Sequence, residues 1–294
     1  LPVTPSPHPT SPAMEASVSR IAADITALAV IPTRHVNSPG IQQAADHIEA
    51  QFRAAGGGLE VRSEEFPLTW AGISTTQRNV IAALPGADPQ AGYILIGAHY
   101  DSRTGDLRDS QSLAPGANDN ASGVAAVIEL ARLLADSTPQ ATIVFAAFAA
   151  EEVGHVGSDA YVQAALGRGE TYQAVIVLDI IGNAAGPSGE GAVRVFSAPP
   201  DDSPSRRLAE QIEQMGETAV PAFDVQVQST LDRPGRYSDH VPFTDAGFPA
   251  VRLIEPTEDL THQHSPSDTP DRVSMEYVGR IAQMVLGWLL ASSF

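Results

Sequence analysis

Three stretches of this chain run apolar and then stop at a side chain that can hold a proton or a metal. YILIGAHYD closes at His99 and Asp101, TIVFAAFAAEE at Glu151 and Glu152, and AVIVLD at Asp179. A run without polar alternation is a strand covered on both faces, the habit of parallel sheets packed between helices. Helical spacing of apolar residues marks MEASVSRIAADITALAV, SPGIQQAADHIEAQFRAAGGG and a segment over roughly 121–136. Further helices are predicted near 157–166, from about Ser203 to Met215 and over roughly 274–291. LEVRSEEFPL, RNVIAAL, AVRVFSAP, AFDVQVQS and FPAVRLIE read as additional strands. The expected class is α/β: three layers, with a mostly parallel mixed central sheet flanked by helices on both faces. A Pro-rich tail over 1–12 should precede a single domain over 13–294.

Composition narrows the chemistry. A formal net charge of −18 opposes a phosphate backbone or an anionic membrane, so nucleic acid is not an expected partner. No apolar stretch approaches the ~20 residues that cross a bilayer, so no membrane insertion is expected. With no cysteine, thiolate metal sites, disulfides and Cys nucleophiles are excluded. Any metal must sit on His, Asp and Glu. The opening LPVTPSPHPTSPAMEA resembles the residues left after removal of an export signal, and we expect an exported protein, periplasmic or secreted.

In open α/β sheets, ligands bind beyond the carboxyl ends of the strands. Three strands delivering His99, Asp101, Glu151, Glu152 and Asp179 to that edge make a constellation. GANDNASG adds Asp119, in a turn richer in polar caps than one helix start needs. Carboxylates gathered at one edge repel one another unless cations join them, so the cluster implies metal. Glu151 and Glu152, neighbours on an extended strand end, should point different ways.

HYD, GANDNASG, AEEVGHVGS, VLDIIGN, YSDHVPFTDAGFPA and HQHSPSDT stand in an order and spacing that resemble the zinc aminopeptidases of peptidase family M28, from about Asn79 to Val273. The resemblance implies two zinc ions per chain on a mixed sheet. It makes His99 and Asp179 ligands of one ion, Glu152 and His264 ligands of the other, and Asp119 the bridge. Two Zn²⁺ with three carboxylates and a bridging hydroxide are neutral, and zinc lowers the pKa of bound water to about 7. Glu151 is then left as general base, and Asp101 is suited to orient His99. His262 competes with His264 for the last ligand position; the family pattern of a His followed by a small residue and then Asp-Thr selects His264. Asp239 and His240 match a motif near the site, and Tyr237 is a candidate donor to the oxyanion, although ordinary pocket lining fits it equally. Relatives hold the peptide after the bridging Asp in cis, and the same is expected at Asp119–Asn120.

The implied activity is removal of N-terminal residues from peptides. Alternatives on the same fold are a glutaminyl cyclase-like acyltransferase with one zinc and a non-enzymatic ectodomain. A carboxypeptidase or dipeptidase would need a cation for a terminal carboxylate, for which Arg233, Arg236 and Arg252 are candidates.

Overall fold

The computed structural model describes residues 14–183, 189–230 and 237–293. The expected tail over 1–12 and the candidate cations Arg233 and Arg236 lie outside the described residues. Among the described residues, eight strands form one sheet: β1 (Glu60–Trp70), β2 (Ile73–Leu84), β3 (Tyr93–His99), β4 (Thr142–Phe148), β5 (Tyr172–Leu178), β6 (Ala192–Phe196), β7 (Asp224–Gln228) and β8 (Ala250–Ile254). Their order is β1-β2-β4-β3-β5-β8-β6-β7. β4, β3, β5 and β8 run parallel in the centre, β6 and β7 are parallel to each other, and the β1-β2 hairpin, the β2/β4 contact and the β6/β8 contact are antiparallel. The mixed sheet expected from the apolar runs is present.

Side chains alternate cleanly between two cores. Ile94, Ile96, Ile143, Phe145, Ile176 and Leu178 face one side, under α1 (Val18–Ala29), α2 (Gly40–Ala55), α3 (Ser122–Leu134), α5 (Pro204–Ala219) and α7 (Met275–Ser293). Leu95, Val144, Ala146, Val175 and Val177 face the other, under α4 (Val156–Arg168) and α6 (His240–Asp245). Period-2 alternation with both faces apolar is why these strands carried no polar residues. Phe148, Tyr161, Tyr172, Phe243 and Phe248 pack edge-on or tilted to fill the second layer. Among the described residues, no helix is long and apolar enough to cross a membrane.

Two expectations need correction. β2 begins at Ile73, five residues before the predicted Arg78, because ISTTQ pairs with β1 beyond the end of β4 and needs no apolar face there. Glu151 and Glu152 are not on a strand end. β4 stops at Phe148, Ala150 takes a left-handed φ of 62°, and the chain turns before either glutamate.

Candidate metal centre

The parallel strands end together, and the site is built on that edge. His99 is the last residue of β3 and Asp179 follows β5 directly. The turn after β4 brings Glu151 and Glu152 beside them, held by an acid from the loop that follows β3. Asp101 accepts hydrogen bonds from the backbone N–H of Glu151 at 3.0 Å and of Glu152 at 3.1 Å. The same carboxylate lies 3.5 Å from His99 Nδ1, and the Asp101 carbonyl lies 3.3 Å from that nitrogen. One buried side chain therefore ties two strand ends together.

Asp119 sits in a π-type turn, Ala117–Ala121, and its peptide to Asn120 is cis, as the resemblance implied. Its neighbours aim it. Asn120 donates to the Leu178 carbonyl and accepts from the N–H groups of Gly123 and Ile180. Asn118 donates to Glu255 and accepts from Gly182 N–H. From the opposite side, the Asp268 carboxylate accepts from Asn118 N–H at 2.8 Å and Asp119 N–H at 3.0 Å. Beneath the turn, the fully buried Arg34 donates to the carbonyls of Tyr100, Leu28, Pro115 and Gly116.

These supports leave Asp119 facing two imidazoles. Oδ1 lies 3.4 Å from His99 Nε2, and Oδ2 lies 3.0 Å from His264 Nε2. His99 Nε2 is also 3.4 Å from Asp179 Oδ1, and His264 Nε2 is 3.2 Å from Glu152 Oε1. Two groups result, His99 with Glu151 and Asp179, and Asp119 with Glu152 and His264; within each, the ligand-capable atoms lie within 4.8 Å of one another. Imidazole nitrogens and carboxylate oxygens, with no sulfur in the chain, are a donor set that suits zinc. The residues fit a pair of such ions.

Electrostatics point the same way. Burial pulls the His99 imidazole down, but Glu151, Asp101, Asp119 and Asp179 outweigh it and hold its pKa well above the usual range. His264 is pushed up to about 10: burial opposes the shift, and Asp119 and Glu152 drive it. Asp119 is held well below the carboxylate range, its burial overcome by His264 and His99. Glu151 is raised by burial, with Glu152 and Asp179 adding and His99 and His155 opposing. A surplus of buried negative charge that draws protons onto histidines is a site made for cations.

Of the other candidates, His262 turns away, with Nδ1 2.8 Å from Ser267 Oγ, so His264 is the histidine in the cluster. His262 instead lines a cleft over Asp119 with Asn118, Asn183, Gln263 and Arg272. Asp239 is fully buried, accepts from Ser158 Oγ at 2.6 Å, and is raised to about 7 by burial and then by Glu151. His240 is buried edge-on against Phe196, whereas Tyr237 is exposed. Arg252, read as a candidate carboxylate binder, is 2% exposed with Nε 3.1 Å from Asp179 Oδ2. Sequence reasoning missed Arg34, Arg103, Asp268 and Glu255. Asp268 lies within the quoted HQHSPSDT and was the findable one.

The fold is shared with solved structures. Bacillus subtilis BSAP, a zinc aminopeptidase, is 16% identical with a TM-score of 0.77, covering 96% of this chain and 96% of that one. Porphyromonas gingivalis glutaminyl cyclase is 20% identical with a TM-score of 0.75, covering 94% and 98%. The architecture is that of the zinc aminopeptidase-like folds. Peptidase family M28 matches residues 79–289. A probable zinc metalloprotease of Leptosphaeria maculans is 33% identical over 99% of this chain and 78% of its own length. Another, of Pyricularia oryzae, is 37% identical over 95% of this chain and 65% of its own length. The chain belongs to peptidase family M28, the zinc metalloproteases toward which its motifs point.

Proposed function

We propose that this chain is an aminopeptidase that binds two zinc ions and hydrolyses the first peptide bond of peptides. The observation carrying the proposal is Asp119, whose two oxygens face the imidazoles of His99 and His264. One carboxylate thereby joins two ligand groups, with Asp179 completing the His99 side and Glu152 the His264 side. Bound zinc supplies a Lewis acid and a water whose pKa falls to about 7.

The chain's own residues do the rest. Glu151 stands with its Oε1 3.4 Å from His155 Nε2, and its raised pKa suits a group that takes a proton from water and returns it to the leaving amine. Asp101 holds the Glu151 and Glu152 backbone against His99, so base and ligands keep one geometry. Tyr237, Asp239 and His240 are proposed to border the substrate, the exposed Tyr237 by contact and the two buried residues by shaping the wall.

An N-terminal specificity agrees with the cations near the site. Arg252 is engaged by Asp179 and Arg103 by Glu152, so neither presents a guanidinium to a terminal carboxylate. Arg272, half exposed at the cleft, is the described residue that a carboxypeptidase or dipeptidase would use. A panel of aminoacyl fluorogenic substrates, N-terminal Gln peptides and C-terminally blocked peptides, run with and without chelator, tests the proposal. Chelator-sensitive release of N-terminal residues, indifferent to C-terminal blocking, is expected. Cyclisation of Gln with about one zinc per chain, or release only from a free C-terminus, would overturn it.

A further inference from the structure

We propose that Arg103 and Arg252 are positioning residues, one for each half of the metal pair, that decide which carboxylate oxygen faces the ion. The inference rests on the ligand assignment proposed above. Glu152 has its two oxygens on different partners: Oε2 accepts from Arg103 Nε at 2.6 Å, and Oε1 stands 3.2 Å from His264 Nε2. At Asp179 the corresponding contact is an ion pair, Oδ2 lying 3.1 Å from Arg252 Nε, while Oδ1 lies 3.4 Å from His99 Nε2. In both groups the arginine takes the rear oxygen, and the front one is turned to the histidine that shares its ion.

The two arginines reach these positions independently. Arg103 comes from the loop after β3, where its Nη1 also donates to the Thr104 carbonyl at 3.0 Å and fixes the plane of the guanidinium. Arg252 lies within β8, in register with Val177 of β5, one strand across from the turn that carries Asp179. A guanidinium is a rigid, permanently charged fork, suited to fixing a carboxylate plane in a way a flexible ammonium is not. A carboxylate pinned at one oxygen offers the other as a single, directed ligand atom. Released, it rotates and can offer either oxygen or both.

The sign of the effect separates this role from a plain charge effect. By Coulomb's law alone, deleting a cation next to a cation site tightens metal binding. Loss of a positioning partner weakens it, by about 10–100-fold where partners of ligands have been removed. Arg103 carries the main test because its side chain is partly exposed, whereas that of Arg252 is 3% exposed.

The experiment is zinc titration of the full chain against a chromophoric chelator, for the parent, Arg103→Gln, Glu152→Gln, Asp179→Asn and the double variants. Fewer than two zinc ions on the parent would remove the ligand reading itself. With two bound, Arg103→Gln is expected to weaken one ion by about 10–100-fold and leave the other unchanged. Combined with Glu152→Gln it should add no further loss, because the carboxylate it positions is gone; combined with Asp179→Asn the losses should multiply. Arg252→Gln should show the mirror pattern, adding nothing to Asp179→Asn. Unchanged or tighter zinc in Arg103→Gln, or a loss that multiplies with Glu152→Gln, would overturn the proposal whatever Arg252→Gln does.

Discussion

Asp101 is the residue whose removal tests most of the site at once. Its carboxylate is 1% exposed and accepts from two backbone N–H groups while flanking His99. In Asp101→Ala both N–H groups lose their acceptor. That of Glu151 is fully buried and should cost about 1–3 kcal/mol, the price of an orphaned donor. That of Glu152 is part-buried, so water recovers some of its bond and about 1 kcal/mol is expected. The sum, about 2–4 kcal/mol, is a large part of a typical domain stability of about 5–15 kcal/mol. Asp101→Asn keeps one acceptor oxygen and should lose about half as much.

Urea denaturation in chelator reads this term without metal. Zinc titration then reads the second consequence, since an imidazole that loses its orienting partner binds about 10–100-fold more weakly. Both variants are neutral at this position, so the Asn–Ala difference isolates hydrogen bonding from charge. If Asp101→Ala unfolds at the parent's urea midpoint and binds zinc equally well, the carboxylate does not tie the strand ends together.

Glu151→Gln should retain both zinc ions and lower kcat by about 10²–10⁴-fold, the range for a lost general base; loss of an ion instead would make Glu151 a ligand. His264→Ala should lose one zinc and keep the other, measured by metal analysis after gel filtration, and loss of neither would return His262 to the site. Chelator should abolish activity, and added zinc should restore it. Glu255 is buried, accepts from Asn118 Nδ2 and Asn183 N–H, and is raised from 4.5 to about 8 by burial, with Glu258 adding to the shift. A raised carboxyl is neutral in both states below pH 4.5, so its contribution to stability is complete there and is lost as pH climbs toward 8. Glu255→Gln should therefore flatten the fall in unfolding free energy across that window, measured by denaturation at a series of pH values; an unchanged slope would refute the assignment.

The sheet was legible because its central strands are buried on both faces and therefore lack polar residues for their whole length. Helix α6 was not: six residues, His240–Asp245, are too few for a 3.6-residue period to show. The turn that carries Glu151 and Glu152 was misread because its left-handed residue is Ala150, where the usual glycine signal is absent. The metal-capable side chains could be read because they punctuate apolar runs. The arginines behind them could not. Arg103 in DSRTG has the context of a solvated loop residue, and Arg252 sits inside an apolar strand where nothing nearby in sequence announces its partner. A ligand can be recognised from its own segment, whereas a residue that positions a ligand is defined by a contact across the fold.

That contact pattern bears on which end of a peptide the site favours. Arg34, Arg103 and Arg252 lie close to the acidic cluster, and each is turned to its rear: Arg34 onto carbonyls under the Asp119 turn, the others onto the back oxygens of Glu152 and Asp179. Their charges offset acidic residues from behind and leave carboxylate oxygens of Asp119, Glu151 and Glu152 facing the histidines. On the proposed di-zinc reading the ions take up the charge of Asp119, Glu152 and Asp179, and a peptide approaching this face meets Glu151 and, at the cleft, Glu258 and Asp259 against Arg272. An N-terminal ammonium is drawn to such a surface and a C-terminal carboxylate is repelled, at a separation where charges inside a partly buried site interact far more strongly than in water. Raising ionic strength should therefore raise KM for free-amine substrates more than for N-acylated ones, in initial rates across a salt series. Equal salt dependence for the two would detach end preference from this charge arrangement and leave it to the shape of the cleft.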